Sequence, residues 1–218
     1  MARLLSPTAA MPNAHKRRGS DTTDKTQPPA PSDRRSMGGG QRRMYLTQNE
    51  VDQLIRAAGG VGRHRERDKL MILLSYRHGL RVSETCDLRW TDVDFPAGLI
   101  YIRREKGGIC SHHTIERDEI RALHRMQKLY NPSPFIFNGE QGHGLDRDRV
   151  WAIVKRAGER AGFPFPCHPH MLRHSCGYYL ASKEVHPIEI KNYLGHWDLR
   201  TTMHYCGLAS TRFGSFWK

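Results

Sequence analysis

The sequence has no apolar run close to the ~20 residues that a membrane-spanning helix requires. Its first residues also lack the apolar core of a secretion signal, because Pro7 and Pro12 interrupt the only apolar stretch there. Cysteine is sparse as well: the five residues are an odd number and show no paired spacing that would suggest a disulfide framework. These absences predict a cytoplasmic protein that works in a reducing compartment.

Acidic residues are also in short supply. There are 22 Asp and Glu against 35 Lys and Arg, which gives a formal net charge of +13. Such an excess favours a polyanionic partner, for which duplex DNA or RNA is the default, and predicts association with the nucleoid. The alternative is a basic solvated surface or a ribosome-associated protein. The length of 218 residues suits one domain plus a tail.

Residues 1–43 contain few large apolar side chains, together with a basic cluster at residues 16–18 and a glycine run at residues 38–40. Such a segment cannot bury enough surface to offset the entropy of ordering it. We predict a disordered basic tail over residues 1–43, which either contacts phosphates non-specifically or is passive. The ordered domain is predicted over residues 44–218.

Apolar spacing and end signals predict a mainly helical α+β fold with a small antiparallel hairpin. Thr47 and Glu50 form the pattern of a capping box at the start of the first helix, and Gly79 follows the end of the second. The predicted helices span residues 47–59, 66–78, 82–88, 117–130 and 146–161. The predicted strands are the hairpin pair at 99–103 and 109–115 and a short buried strand at 135–137.

Four residues in the last third suggest one reaction centre. His170 and Arg173 are three apart and would share a helix face. An arginine there offers a fixed fork of N–H donors that suits two oxygens of one phosphate. His196 follows Gly195, a typical helix end, and Tyr205 closes a segment of two helical turns. A tyrosine with its usual pKa of about 10 is a poor nucleophile, but surrounding cations that hold a phosphate would make it an effective one.

These residues resemble a known family. The patterns HxxR at His170, LGH ending at His196 and TTxxY ending at Tyr205 resemble the C-terminal box of the tyrosine recombinases, the phage integrase family. The stretch HGLRVSE at residues 78–84 resembles the box with the first catalytic arginine, and Lys106 stands where the family has its hairpin lysine. The resemblance covers about residues 47–216. The segment HPHMLRHSCG makes it particularly similar to the short recombinases that invert a fimbrial promoter segment.

The resemblance implies a tyrosine recombinase catalytic domain over residues 44–218, with no separate core-binding domain. Arg81 and Arg173 would hold the phosphate, His196 would donate to it, and Tyr205 would attack it. His170 would accept the proton of Tyr205 or orient the phosphate. Lys106, with Arg104 as a near substitute, would protonate the departing 5′ oxygen. Glu84 would support Arg81. The reaction needs no metal, ATP or other cofactor.

Other residues have weaker or competing interpretations. The outer face of the helix at 146–161 faces DNA or is merely solvated. His174 is expected to point elsewhere and to be structural. The cluster of Cys167, His168, His170, His174 and Cys176 lacks the paired spacing of a zinc site. The aromatic segment 209–218 packs either on its own core or on a neighbouring protomer. The DNA-facing residues would be Arg147, Arg149, Lys155, Arg156 and Arg160.

The function predicted by the resemblance is site-specific DNA recombination through a 3′-phosphotyrosine, leading to inversion or to integration and excision of a mobile element. The partners would be double-stranded DNA with inverted-repeat sites, three further copies in a homotetramer, and accessory proteins that bend DNA. One alternative is a catalytically inactive DNA-binding regulator of recombination or transcription. Another is relaxation of supercoiled DNA by a type IB topoisomerase.

Overall fold

The computed structural model describes residues 44–60, 62–105, 107–130 and 132–208. The predictions for the basic tail, for Lys106 and for the aromatic segment 209–218 lie outside these residues. Within them the fold is mainly helical, with a small antiparallel sheet, as the sequence predicted. No helix in the described ranges is long and apolar enough to cross a membrane.

The elements follow the predicted order closely. The helices are α1 (Gln48–Gly60), α2 (Arg65–Arg77), α3 (Val82–Asp87), α4 (Arg117–Leu129), α5 (Arg147–Arg160), α6 (Pro169–Ser182), α7 (Pro187–Leu194) and α8 (Leu199–Leu208). The strands are β1 (Val93–Asp94), β2 (Leu99–Ile102) and β3 (Ser111–Thr114), and a 3-10 turn covers Trp90–Asp92. Helix α2 packs against α1, α4 and α6, and α8 packs against α6 and α7.

The capping box predicted before α1 is present. The backbone N–H of Thr47 donates to Glu50 Oε2 at 2.8 Å, and the N–H of Glu50 donates back to Thr47 Oγ1 at 3.4 Å. Just before it, the N–H of Leu46 donates to Ser175 Oγ at 2.7 Å. The start of the described domain is therefore fixed to α6, the helix that contains the HxxR pattern.

The turn after α2, which leads to the first predicted catalytic arginine, packs closely against α7. Gly79 has a φ of +57°, a backbone conformation that L side chains rarely adopt. A Cβ at this position would also overlap Cδ2 of Leu194. Glycine is therefore required here both for the direction of the turn and for the close approach of α7.

The predicted hairpin forms two of the three strands of the sheet, with β2 in the centre. Strand β2 pairs with β3 in antiparallel register, with Ile100 opposite His113 and Ile102 opposite Ser111. The two isoleucines are buried in the core. Strand β1, which the sequence did not predict, pairs with the other edge of β2.

The predicted strand at residues 135–137 is wrong. The chain there forms an isolated bridge between Phe135 and Arg89, and Ile136 donates to the Leu88 carbonyl at 2.9 Å. Ile136 and Phe137 are nearly fully buried. The apolar run thus reflects burial of a connecting segment, and single pairings with neighbouring loops satisfy its backbone without a strand ladder.

Candidate active site

Arg81 is placed by a carboxylate one turn further on. It is the N-cap of α3, and its backbone N–H donates to Glu84 Oε2 at 2.9 Å. Its guanidinium Nη1 donates to Glu84 Oε1 at 2.6 Å. The Arg81 side chain is half-buried, whereas that of Glu84 is buried. Burial opposes ionisation of Glu84, but the charge of Arg104, the hydrogen bonds from Arg81 and the charge of Arg173 outweigh it and hold the pKa of this carboxyl below its usual value.

Arg104, two residues after the end of β2, is a buried link between the hairpin and both catalytic boxes. Its Nη1 donates to Glu84 Oε2 at 2.7 Å, and its Nη2 donates to the carbonyls of His78 at 3.0 Å and Tyr193 at 2.6 Å. The side chain is fully buried. A guanidinium held in this way cannot reach out to a leaving group, so the structure does not support Arg104 as a substitute for Lys106.

Two glycines make room for Arg104. A Cβ at Gly195 would lie 2.6 Å from Arg104 Cγ, and a Cβ at Gly108 would lie 2.8 Å from its Cβ. Gly195 also ends α7 in the left-handed conformation, with φ 64° and ψ 41°, as the sequence predicted. Gly195 is therefore required for two reasons: its left-handed conformation ends α7, and its missing Cβ leaves space for the Arg104 side chain.

Arg173 projects from α6 into the same cluster. It donates to the Gly79 carbonyl through Nη1 and to the Leu194 carbonyl through Nη2 at 2.6 Å. Its Nη1 lies 3.9 Å from Glu84 Oε2. Burial, with repulsion from Arg81 and Arg104, lowers the pKa of Arg173 to about 10. Three guanidinium groups thus share one carboxylate, and the excess positive charge favours an incoming anion.

His196 is buried, and its Nδ1 lies 2.9 Å from Thr202 Oγ1. Burial, with repulsion from Arg173 and Arg81, lowers its pKa to about 3, so the imidazole is neutral at pH 7. The sequence singled out His196 but not Thr202. The TTxxY pattern contained the signal, because a hydroxyl three residues before Tyr205 lies on one face of α8 with it.

Tyr205 lies in the core of this cluster with 2% of its surface exposed. Its ring centroid is 6.0 Å from that of His196, with the two rings nearly parallel. Its hydroxyl lies 3.1 Å from Nδ1 of His174. Burial raises the pKa of Tyr205 to about 12, although the charges of Arg173 and Arg81 oppose the rise. The expectation that His174 points elsewhere is therefore wrong.

Gly177 is the second residue of α6 that sequence reasoning missed. A Cβ there would lie 2.7 Å from Tyr205 Cε2, so only glycine lets the phenol ring pack this close to α6. Spacing contained a signal for both residues. His174 is four residues after His170, and Gly177 is four after Arg173, so both lie on faces of α6 that the predicted catalytic residues already use.

His170 is solvent-exposed in the first turn of α6. Partial burial, with the charges of Arg173 and Arg81, lowers its pKa. Hydrogen bonds, ring contacts and charge interactions thus connect His170 with Arg81, Glu84, Arg173, His196 and Tyr205. Lys106 lies outside the described residues. The catalytic roles of all these residues remain predictions.

Helix α5 has the predicted division into two faces. Its inward side buries Val150, Ile153, Val154 and Ala157. The outward basic set is exposed, and two of its members are near carboxylates: Arg147 lies 4.0 Å from Glu105, and Lys155 lies 3.8 Å from Glu159. The exposed basic residues are Arg147, Arg149, Lys155, Arg156 and Arg160.

Among the described residues no group of three His, Cys, Asp or Glu side chains could hold a metal ion.

Comparison with known proteins places the chain in a family. The model of the phage integrase family matches residues 44–212. Type 1 fimbriae regulatory protein FimE of Escherichia coli (strain K12) is 38% identical over 185 residues, which cover 81% of this chain and 92% of FimE. Tyrosine recombinase XerA of Thermococcus kodakarensis is 36% identical over 166 residues, which cover 73% of this chain and 56% of XerA.

Solved structures show the same fold. A crystal structure of XerA recombinase aligns with a TM-score of 0.68 at 24% identity and covers 79% of this chain and 63% of its own. A lambda integrase dimer bound to a COC′ core site aligns with a TM-score of 0.62 at 21% identity and covers 79% and 50%. Fold and relatives together define a site-specific recombinase of the tyrosine class. The chain belongs to the phage integrase family.

Proposed function

We propose that this protein cuts and rejoins DNA at specific sites, with Tyr205 as the nucleophile and a 3′-phosphotyrosine as the intermediate. The observation that supports this most directly is the location of Tyr205. Its phenol is buried beside His196 and within range of the charges of Arg173 and Arg81. A tyrosine that only fills a hydrophobic core does not require charged neighbours. A tyrosine that attacks a phosphodiester requires cations beside it to stabilise the charge on the phosphate.

The chemistry requires positive charge because a phosphodiester repels nucleophiles. Arg81 and Arg173 would stabilise the charge that develops on the non-bridging oxygens of the pentacovalent state. Glu84 and Arg104 would hold these groups in place before DNA arrives, so that little reorganisation is needed during the reaction. The neutral His196 would donate a hydrogen bond to the same phosphate.

The leaving 5′ oxygen needs a proton, and Lys106 is the proposed donor. It directly follows Arg104 and Glu105, and both of these form hydrogen bonds with α3. Arg104 donates to Glu84, and Glu105 accepts from Ser83 Oγ at 2.6 Å. The energy of the broken bond would be kept in the phosphotyrosine ester. A 5′ hydroxyl from a second strand could then displace Tyr205 without ATP.

We further propose that residues 44–218 form the catalytic domain and act on double-stranded DNA with inverted repeats, as a tetramer on two paired sites. Structures of lambda integrase include a dimer on a core site and a tetramer on a Holliday junction. Inversion is the preferred outcome because of the likeness to FimE, and integration or excision is the alternative. Residues 1–43 would be an accessory basic tail. Proteins that bend DNA would assist the assembly of the paired sites. Binding to DNA would place the protein at the nucleoid.

A nicked suicide substrate tests this function. Its sequence would come from inverted repeats in the DNA beside the gene. The wild-type protein should form a covalent adduct, and Tyr205→Phe should abolish it while binding persists. Tyr179→Phe, at an exposed position of α6, is the matched control and should retain the adduct. DNA binding without an adduct would instead support the inactive regulator, and relaxation of supercoils without a specific site would support a topoisomerase.

A further inference from the structure

The hydroxyl of Tyr205 has a hydrogen-bond partner to which the proposed reaction gives no role. That partner is Nδ1 of His174, at 3.1 Å, and the two ring centroids are 5.8 Å apart. His174 is half-buried on α6, one turn from Gly177, where the missing Cβ lets the phenol ring pack against the helix. The local packing therefore brings the reactive oxygen to this imidazole.

We infer that His174 is a catalytic residue that accepts the proton of Tyr205 as the phosphotyrosine bond forms. The inference rests on the proposed function and deepens it. His170, the acceptor that the family resemblance suggested, is exposed in the first turn of α6. Its task would then be to orient the phosphate.

The surroundings of His174 keep its imidazole unprotonated and able to accept a proton, while the same low pKa makes it a weaker base until the phosphate is bound. Burial is the main cause that lowers its pKa to about 4, and the charges of His170, Arg173, His168 and His204 add to it. The imidazole is therefore neutral at pH 7, with one ring nitrogen free to accept. In the resting protein the proton stays on Tyr205, since burial raises the pKa of the phenol to about 12.

The proton moves only during the attack. As the phenol oxygen forms its bond to phosphorus, it becomes an ester oxygen and its proton becomes strongly acidic. The proton passes to Nδ1 of His174, the bond from phosphorus to the 5′ oxygen breaks, and that oxygen takes a proton from the general acid on the leaving side. The charge of the bound phosphate stabilises the new imidazolium. In the rejoining step His174 returns the proton to the departing phenol.

A sulfur leaving group separates the two proton transfers. A suicide substrate with a 5′-bridging phosphorothiolate releases a thiolate, which needs no general acid. Rates of adduct formation would be measured in single turnover with this substrate and with the oxygen substrate. The variants would be His174→Asn, which retains a polar atom near the position of Nδ1 but is not basic, and His174→Ala. The matched control is His143→Asn, at an exposed loop position.

We expect His174→Asn to form the adduct at least tenfold more slowly on both substrates, with DNA binding and melting temperature unchanged, and His143→Asn to match the wild type. Rescue of His174→Asn by the sulfur substrate would overturn the inference, because His174 would then serve the leaving group. Wild-type rates in His174→Asn would also overturn it. A wild-type protein that forms no adduct on either substrate would instead contradict the proposed function.

The wild-type protein provides a second measurement should the variants fail to fold. With the sulfur substrate, a neutral imidazole acceptor predicts a rate that is nearly constant between pH 7 and pH 9. A rate that rises tenfold per pH unit over this range would mean that hydroxide takes the proton, and this would overturn the role of His174.

Discussion

Arg104 shows how much a single side chain organises in this molecule. Its guanidinium joins β2 to the carboxylate that holds Arg81 and to the carbonyls of His78 and Tyr193. The last of these lies three residues before His196. A buried arginine of this kind carries its charge where desolvation is severe, and burial lowers its pKa even beside Glu84. Its hydrogen bonds to Glu84, His78 and Tyr193 offset part of that cost.

Replacing Arg104 should therefore strongly destabilise the fold. Arg104→Met would leave Glu84 buried with weaker compensation, and removal of one partner of a buried ion pair typically costs about 3–5 kcal/mol. Urea unfolding would measure the loss. Arg121→Met, at an exposed position of α4, is the control and should change stability by less than about 0.5 kcal/mol. Equal effects of the two substitutions would contradict the proposed role of Arg104.

Gly177→Ala should slow the formation of the covalent adduct. The added methyl would lie under 3 Å from the Tyr205 ring and would push the phenol away from His174. We expect adduct formation to fall about tenfold or more, since small misplacements of reacting groups are costly. Gly60→Ala is the control, because a Cβ there meets nothing within 4 Å. Normal cleavage by Gly177→Ala would show that the ring position is not critical.

At the scale of elements, the sequence predicted where the helices lie and which faces they bury, but it did not predict the long-range contacts between them. The apolar residues of α5 recur at helical spacing, and the structure buries the set that spacing indicated. Strand β1 has only two residues and leaves no periodic trace. The hydrogen bonds of the Arg104 side chain reach residues 20 to 89 positions away, so no local pattern could reveal them. His174 was predicted to point elsewhere, although its spacing from His170 placed both on one face of α6.

Helix α8 presents two functional groups to the rest of the site, Tyr205 and the hydroxyl of Thr202. Thr202→Val keeps the shape of the side chain but leaves Nδ1 of the buried His196 without its partner. An unsatisfied buried polar group costs about 1–3 kcal/mol. We expect a lower melting temperature and slower adduct formation. Thr202→Ser retains the hydroxyl and should restore most of both; failure of serine to do so would assign the effect to packing.

At the scale of the whole molecule, neutral buried histidines couple stability to pH. The pKa is lowered to about 3 for His113 and His196 and to about 4 for His174, mainly by burial. In the unfolded chain the same groups titrate near 6.5. The unfolded state therefore binds more protons below pH 6.5, and folding loses stability as pH falls from 6.5 towards the folded values.

We expect the free energy of unfolding to fall between pH 6.5 and pH 5, by up to about 1.4 kcal/mol per pH unit for each such histidine. Urea titrations across this range would measure the slope. His113→Asn should make it shallower, whereas His143→Ala, at an exposed position, should leave it unchanged. A slope that does not respond to His113→Asn would show that other groups control the acid sensitivity.

The formal charge of +13 implies that DNA affinity falls steeply with salt. If the outward face of α5 contacts phosphates, Arg149→Gln with Arg156→Gln should weaken binding to all sequences. The pair should also reduce the slope of log affinity against log salt by about 1 for each phosphate that is no longer neutralised. Arg125→Gln, at an exposed position of α4, is the control. An unchanged slope in the double variant would place the DNA on another surface.

Arg81, Arg104 and Arg173 share a single carboxylate, and this has a consequence for how the protein behaves in the test tube. Without its nucleic acid, such a cluster attracts whatever small oxyanion the buffer supplies. Bound phosphate or sulfate would raise the stability of the folded protein and would compete with the scissile phosphate of DNA for the same site. Preparations kept in chloride and in phosphate are thus different starting materials for any kinetic comparison.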